Sequence, residues 1–258
     1  MLFLGGAYII VFEGLVKIER LDKIISNNMC ISRSDARRLI KIGKVFVNGE
    51  KAKAFDTKIS ETDEVVADGE KLLLEKNVYI IMNKANGVVC DDKSSAPYAC
   101  ETLPKELKRK DLFCVGRLDK DTTGLLLITN DGEFSHSVIS PKKHIEKRYR
   151  ATLENPITNS EIKQAQEGIV LKDGTKLLPA KIEMVSSDGK TADFIICEGK
   201  YHQIKRMAGA FSNKILSLHR YKIGGLELPE NLSEGQANKV EKAQAFLVFE
   251  KAKNCQKD

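Results

Sequence analysis

The stretch Gly116-Arg117-Leu118-Asp119-Lys120-Asp121-Thr122-Thr123-Gly124 runs directly into Leu125-Leu126-Leu127-Ile128, and no other segment limits the fold so sharply. An unbroken aliphatic run bounded by turn signals reads as a buried strand. The glycines allow tight backbone geometry on either side of a short polar loop, and the strand gives that loop a rigid base. An isolated Arg-x-Asp is ordinarily a solvated surface pair. Here an arginine and two carboxylates share one anchored loop, which is the layout of a catalytic segment. In extended backbone Arg117 and Asp119, two residues apart, point the same way.

Around this strand the sequence predicts an α+β domain over residues 77–253, with a largely antiparallel mixed sheet flanked by helices. Strand signals occur at 78–82, 112–116, 124–130, 147–154, 177–185, 192–197 and 215–223. Thr158-x-x-Glu161 opens a helix by capping-box logic. A second helix over 201–211 places Ile204, Met207, Ala208 and Phe211 on one face. Asn130-Asp131-Gly132 and Ser187-Asp188-Gly189-Lys190 read as turns, and 90–98 as a loop. The run 236–253 has a helix-like end.

A smaller unit is predicted over 17–71. Ser32-x-x-Asp35 starts a helix over 33–42 that Gly43 ends. Asn48-Gly49 then turns a hairpin, since this dipeptide readily supplies two positive φ angles. Arg33, Arg37, Lys41 and Lys44 fall within an arc of about 80° at 100° per residue, with Ala36, Leu39 and Ile40 on the adjoining side. Residues 69–76, charged and weakly patterned, read as a linker.

Bulk properties narrow the function class. The chain has 258 residues, 42% of them hydrophobic, enough for one large and one small globular domain. Its 42 Lys and Arg exceed 36 Asp and Glu by a net charge of only +6, so an anionic partner must be met by local patches. Cys30, Cys90, Cys100, Cys114, Cys197 and Cys255 are scattered, without Cys-x-x-Cys or histidines at ligand spacing. That pattern predicts no metal site and reduced thiols in a cytoplasmic protein. Residues 1–16 are apolar but contain Glu13, too short and wrongly flanked for a membrane span of ~20 residues and unlike a signal peptide. They read as an extension outside the fold.

Taken whole, GRLDKDTTGLLLITNDG closely resembles the active-site motif of ribosomal RNA pseudouridine synthases. Two further segments resemble that family in order: Lys147-Arg148-Tyr149-Arg150, and Glu198-Gly199-Lys200-Tyr201-His202-Gln203-Ile204-Lys205-Arg206-Met207. The order Arg20-Leu21-Asp22-Lys23, Ser32-Arg33-Ser34, and Ile40-Lys41-x-Gly43-x-Val45-x-Val47-Asn48-Gly49 resembles the small alpha-L RNA-binding domain shared with a small-subunit ribosomal protein. Lys84-Ala85-Asn86-Gly87 departs from the family, which usually has proline after the lysine.

The resemblance implies isomerisation of a specific uridine in ribosomal RNA. Asp119 would be the catalytic carboxylate, Tyr149 the aromatic contact to the uracil, and Lys205 the facing cation, with Arg206 the neighbouring alternative. A carboxylate serving as nucleophile or base must be ionised, and a nearby cation favours that form. Asp121 orders the loop; His202 and Gln203 orient the loop or RNA. RNA contacts are expected from Arg20, Arg33, Arg37, Lys41, Lys44, Arg117, Lys147 and Arg206, beside a second basic cluster of Lys142, Lys143, Arg148 and Arg150. The reaction is redox-neutral and requires no cofactor. Lys200-Tyr201-His202-Gln203 and Leu218-His219-Arg220 resemble small-subunit (16S) enzymes, which implies ribosomal RNA, free or in an assembling small subunit, as the partner of a monomer that does not use a membrane. The alternatives are a large-subunit (23S) synthase and a non-catalytic ribosome-assembly factor, which would not need Asp119, Tyr149 and Lys205 together.

Overall fold

The computed structural model describes residues 19–91 and 95–250. The expected extension over 1–16 lies outside them, as does Cys255. Among the described residues no cysteine is in a disulfide. Two compact units divide between Lys76 and Asn77.

In the smaller unit β1 (Glu19–Arg20) leads into α1 (Leu21–Asn28) and α2 (Arg33–Lys41). Ser32 caps α2, its hydroxyl accepting from the Asp35 N–H at 3.1 Å. The hairpin of β2 (Val45–Val47) and β3 (Glu50–Lys51) turns at Asn48 and Gly49, with φ of 51° and 82°. β4 (Lys58–Ile59) pairs with β1, and β5 (Val65–Ala67) and β6 (Glu70–Lys71) complete a sheet ordered β3-β2-β5-β6. Leu21, Ile25, Ala36, Ile40, Val45 and Val65 share its core.

Two expectations are corrected in this unit. Lys44 lies beyond the end of α2 and pairs with Asp68 at 2.7 Å, so it is not on the helical stripe. Residues 69–76 are not a free linker. Asp68 and Gly69 take positive φ and turn β5 into β6, and the Asn28 side chain bonds both the N–H and C=O of Leu73.

The larger unit contains β7 (Tyr79–Lys84), β8 (Phe113–Val115), β9 (Thr122–Thr129), α3 (Gly132–Ile139), β10 (Lys147–Leu153) and α4 (Asn159–Glu167). β11 (Lys181–Met184), β12 (Thr191–Ile196), α5 (Gln203–Ala210), β13 (Ile215–Ile223), β14 (Leu226–Glu227), β15 (Ala237–Val240) and α6 (Lys242–Phe246) follow. The sheet runs β11-β12-β10-β13-β9-β7-β15, with β8 also on β9 and β14 on β13. It is the predicted mixed, mostly antiparallel sheet; β9 and β13 pair in parallel.

Both faces are covered, which explains the unbroken apolar runs of β7 and β9. Ile80, Met82, Leu126 and Ile128 pack with Ala165 of α4 and Ile204, Met207 and Ala208 of α5. Tyr79, Ile81, Leu125 and Leu127 pack on the other face with Phe134 and Val138 of α3 and Ala245 of α6. Thr158 and Glu161 form the full capping box expected at α4. Gly124 is obligatory: at φ 101° a Cβ there would lie 2.2 Å from the Arg220 carbonyl oxygen on β13.

Three local readings change. Asp131 does not close a turn; its carboxylate accepts from the N–H groups of Glu133 and Phe134 and starts α3. The run from 236 begins as an edge strand on β7 before α6. α5 starts at Gln203, because His202 sits in the left-handed region with φ 47°. Among the described residues no helix is long and apolar enough to cross a membrane.

Candidate active site

The Asp119 loop joins β8 to β9 and is fastened from below. Leu118 is buried, and its N–H donates to the Cys90 thiol at 3.4 Å. Hydrogen bonding from Cys114 and then from this amide lowers the Cys90 pKa against the effect of burial. The fully buried Lys84 donates through Nζ to the carbonyls of Ala85, Val88 and Lys120, at 2.9, 2.7 and 3.3 Å. Burial lowers the Lys84 pKa. Gly87 N–H bonds the Lys120 carbonyl at 2.9 Å, so the proline-free segment 84–87 still braces the loop.

Asp119 stands on this base with its carboxylate partly open. Lys205 Nζ on α5 lies 3.0 Å from Asp119 Oδ2 and 2.5 Å from Asp121 Oδ1. Burial opposes the charge on Lys205, but hydrogen bonds to Asp121 and then Asp119 raise its pKa. The hydrogen bond from Lys205 lowers that of Asp121. Asp121 thus positions the cation that faces Asp119. His202 Nε2 lies 3.4 Å from Asp119 Oδ1.

Tyr149 shares the pocket with Arg117, Asp119, His202 and Lys205. It comes from β10, where the register against β13 shifts between Arg148 and Tyr149; such irregularities re-aim side chains. Its ring is buried, with the Arg220 guanidinium 5.8 Å from the ring centroid. Arg220 also donates to the Leu125 carbonyl at 2.8 Å and the Gly116 carbonyl at 2.9 Å, and reaches the Tyr149 hydroxyl at 3.4 Å. This buried cation therefore ties the start of the Asp119 loop to β9 and to the pocket tyrosine. Sequence reasoning assigned it no structural role. A signal existed: Leu218 and Arg220 alternate on the buried side of β13, and a charge at a core position is seldom idle.

The expected RNA contacts divide. Arg117 is exposed at the pocket and has no ion-pair partner among the described residues. Lys41 is exposed on α2. Arg20, Arg33 and Arg37 converge on the buried Asp22 carboxylate at 3.2, 2.5 and 3.0 Å. Burial raises the Asp22 pKa, but hydrogen bonds from Arg33, Arg20 and Arg37 outweigh it and lower the value to about 2. The three guanidiniums remain partly exposed, which leaves a cationic surface held by one internal anion. Arg206 turns from the pocket to Asp173 at 2.5 Å.

Lys147 is the correction. It is only 7% exposed, and Nζ donates to the Ile145 carbonyl at 3.1 Å, so it does not stand where a phosphate can meet it. Burial, followed by the charge of Arg220, lowers its pKa to about 8. In the second basic cluster Arg148 pairs with Glu146 at 2.5 Å and Arg150 with Asp193 at 2.8 Å.

Comparison with known proteins matches residues 78–210 to the RNA pseudouridylate synthase model and residues 19–65 to the S4 domain model. The chain is 42% identical over 222 residues to ribosomal small subunit pseudouridine synthase A of Haemophilus influenzae, covering 84% of this chain and 94% of that protein. It is 36% identical over 235 residues to an RNA pseudouridine synthase of Bacillus subtilis, covering 90% and 98%. A crystal structure of a pseudouridylate synthase superposes with a TM-score of 0.63 at 38% identity, over 89% of this chain and 99% of that one.

Proposed function

The chain belongs to the RNA pseudouridylate synthase family and carries an S4 RNA-binding domain, and from that premise we propose that it converts a uridine of small-subunit ribosomal RNA to pseudouridine at Asp119. Uridine and pseudouridine are isomers. The N1–C1′ bond breaks, a C5–C1′ bond forms, and the proton on C5 is exchanged for one on N1. The observation that carries the site assignment is the meeting of Lys205 with Asp119 at 3.0 Å, across 86 positions of sequence, in the pocket that both line with Tyr149.

Asp119 works on the ribose as nucleophile or base and must be anionic in either role. Lys205 supports that charge, and Asp121 keeps Lys205 in place. The uridine leaves its stack at a cost of a few kcal/mol and is received against the Tyr149 ring. Arg117 takes a backbone phosphate beside the extruded nucleotide. The small-subunit target is supported by the relatives' names, and the substrate is the RNA alone or in an assembling particle. The S4 domain supplies RNA affinity through Lys41 and the exposed edges of Arg20, Arg33 and Arg37.

The test is a pseudouridine map of ribosomal RNA from cells with and without the gene, together with Asp119→Asn. Loss of one small-subunit site in both, with RNA binding by the variant near parental, is expected. Parental turnover by Asp119→Asn refutes the site, and loss of a large-subunit site refutes the target.

A further inference from the structure

Tyr201 has no part in the chemistry above, yet it occupies a distinctive position. At 73% exposure it is the most exposed large apolar or aromatic side chain among the described residues. Packing does not account for it, because its burial contribution is mostly forfeited. Nor does hydrogen bonding: among the described residues its hydroxyl has no partner. Its ring nevertheless stacks on the His202 imidazole, with centroids 3.8 Å apart and planes inclined by 21°. His202 in turn lies 3.4 Å from Asp119 and is held in a left-handed backbone conformation that few residues with a side chain adopt.

The order outward is therefore Asp119, His202, Tyr201, solvent. The outer face of Tyr201 is an open π-surface one ring beyond the imidazole that borders the proposed catalytic carboxylate. Extruding a uridine leaves its neighbour in the strand without a stacking partner. Its chain neighbours Lys200 and His202 line the Asp119 pocket together with the exposed Arg117, and an exposed flat aromatic face next to them in the chain fits a nucleobase on a phosphate backbone. We propose that Tyr201 is a positioning residue that stacks the nucleobase next to the extruded uridine, continuing the His202–Tyr201 stack into the RNA.

This inference rests on the proposed function, and the experiment separates the two. The full chain, Tyr201→Ala and Tyr201→Phe are measured on a hairpin RNA carrying the mapped uridine, and on hairpins abasic immediately 5′ or 3′ of it. Tyr201→Ala is expected to weaken binding by about 5- to 150-fold, the range for one lost base–aromatic stack. Single-turnover rate at saturating RNA should fall by less than affinity, and Tyr201→Phe should bind as the parent does. One abasic RNA should weaken the parent by a similar factor and remove the difference between parent and Tyr201→Ala. Parental affinity in Tyr201→Ala, or an undiminished loss on both abasic RNAs, overturns the stacking role. Failure of the parent to convert both the intact hairpin and assembling small-subunit particles carrying the same uridine overturns the functional reading instead.

Discussion

Replacing Lys147 with Met should make the catalytic unit more stable near neutral pH and leave RNA affinity intact. Lysine ordinarily titrates near 10.5; burial and the Arg220 charge bring Lys147 to about 8, which corresponds to about 3 kcal/mol opposing the folded state when the amine is charged. Met has similar length and no charge, but it gives up the hydrogen bond to the Ile145 carbonyl, worth about 1 kcal/mol. A net gain of about 2 kcal/mol is therefore expected at pH about 7. The pH dependence fixes the sign. Between the folded value of about 8 and the unfolded value of 10.5 the unfolded chain binds more protons, so the parent gains stability relative to the variant as pH rises. By pH about 10.5 the advantage should vanish or reverse. Urea titrations of both proteins, followed by circular dichroism at pH about 7 and about 10.5, measure the difference with other titrating groups cancelled. A difference independent of pH refutes the buried-charge argument, and a weakened, less salt-dependent RNA complex would put Lys147 back on the phosphate backbone.

Three further outcomes are expected. Lys205→Met should lower the single-turnover rate by about 10²-fold or more at saturating RNA, while Arg206→Met, losing only its partner Asp173, stays near parental; the reverse order would assign the facing cation wrongly. Asp22 contributes about 2 kcal/mol to the small unit, or less after screening of its partly exposed arginines. Because its folded pKa is depressed, that contribution is present above the ordinary carboxylate value and lost as pH falls through about 2; hydrogen exchange of α1 and α2 amides should show this in the parent and not in Asp22→Asn. Lys41→Gln should reduce the slope of log affinity against log salt by about 0.7 to 0.9 without altering turnover at saturation, and an unchanged slope would mean Lys41 does not reach the RNA.

Features governed by neighbours in the chain were legible in the sequence. The aliphatic runs became β7 and β9, Ser32 and Thr158 cap their helices, and Asn48-Gly49 turns its hairpin, because capping, turn geometry and strand burial act over a few residues. The glycine-bracketed loop and its Asp119 were visible for the same reason, and the resemblance of the ordered motifs identified the family. Tertiary structure decided which charges face what. Lys205 and Arg206 differ by about 100° around one helix, and only the seating of α5 against the Asp119 loop sends one to the carboxylate and the other to Asp173. Lys147 shares its strand face with Tyr149, Ala151 and Leu153, all buried; its charge suggested solvent, whereas two-residue alternation carried it inside. Arg33 and Arg37 form a basic stripe in sequence, yet their carboxylate partner lies on α1. A side chain's charge is fixed by its chemistry, but its partner and the dielectric around it come from segments that meet only when the chain has folded.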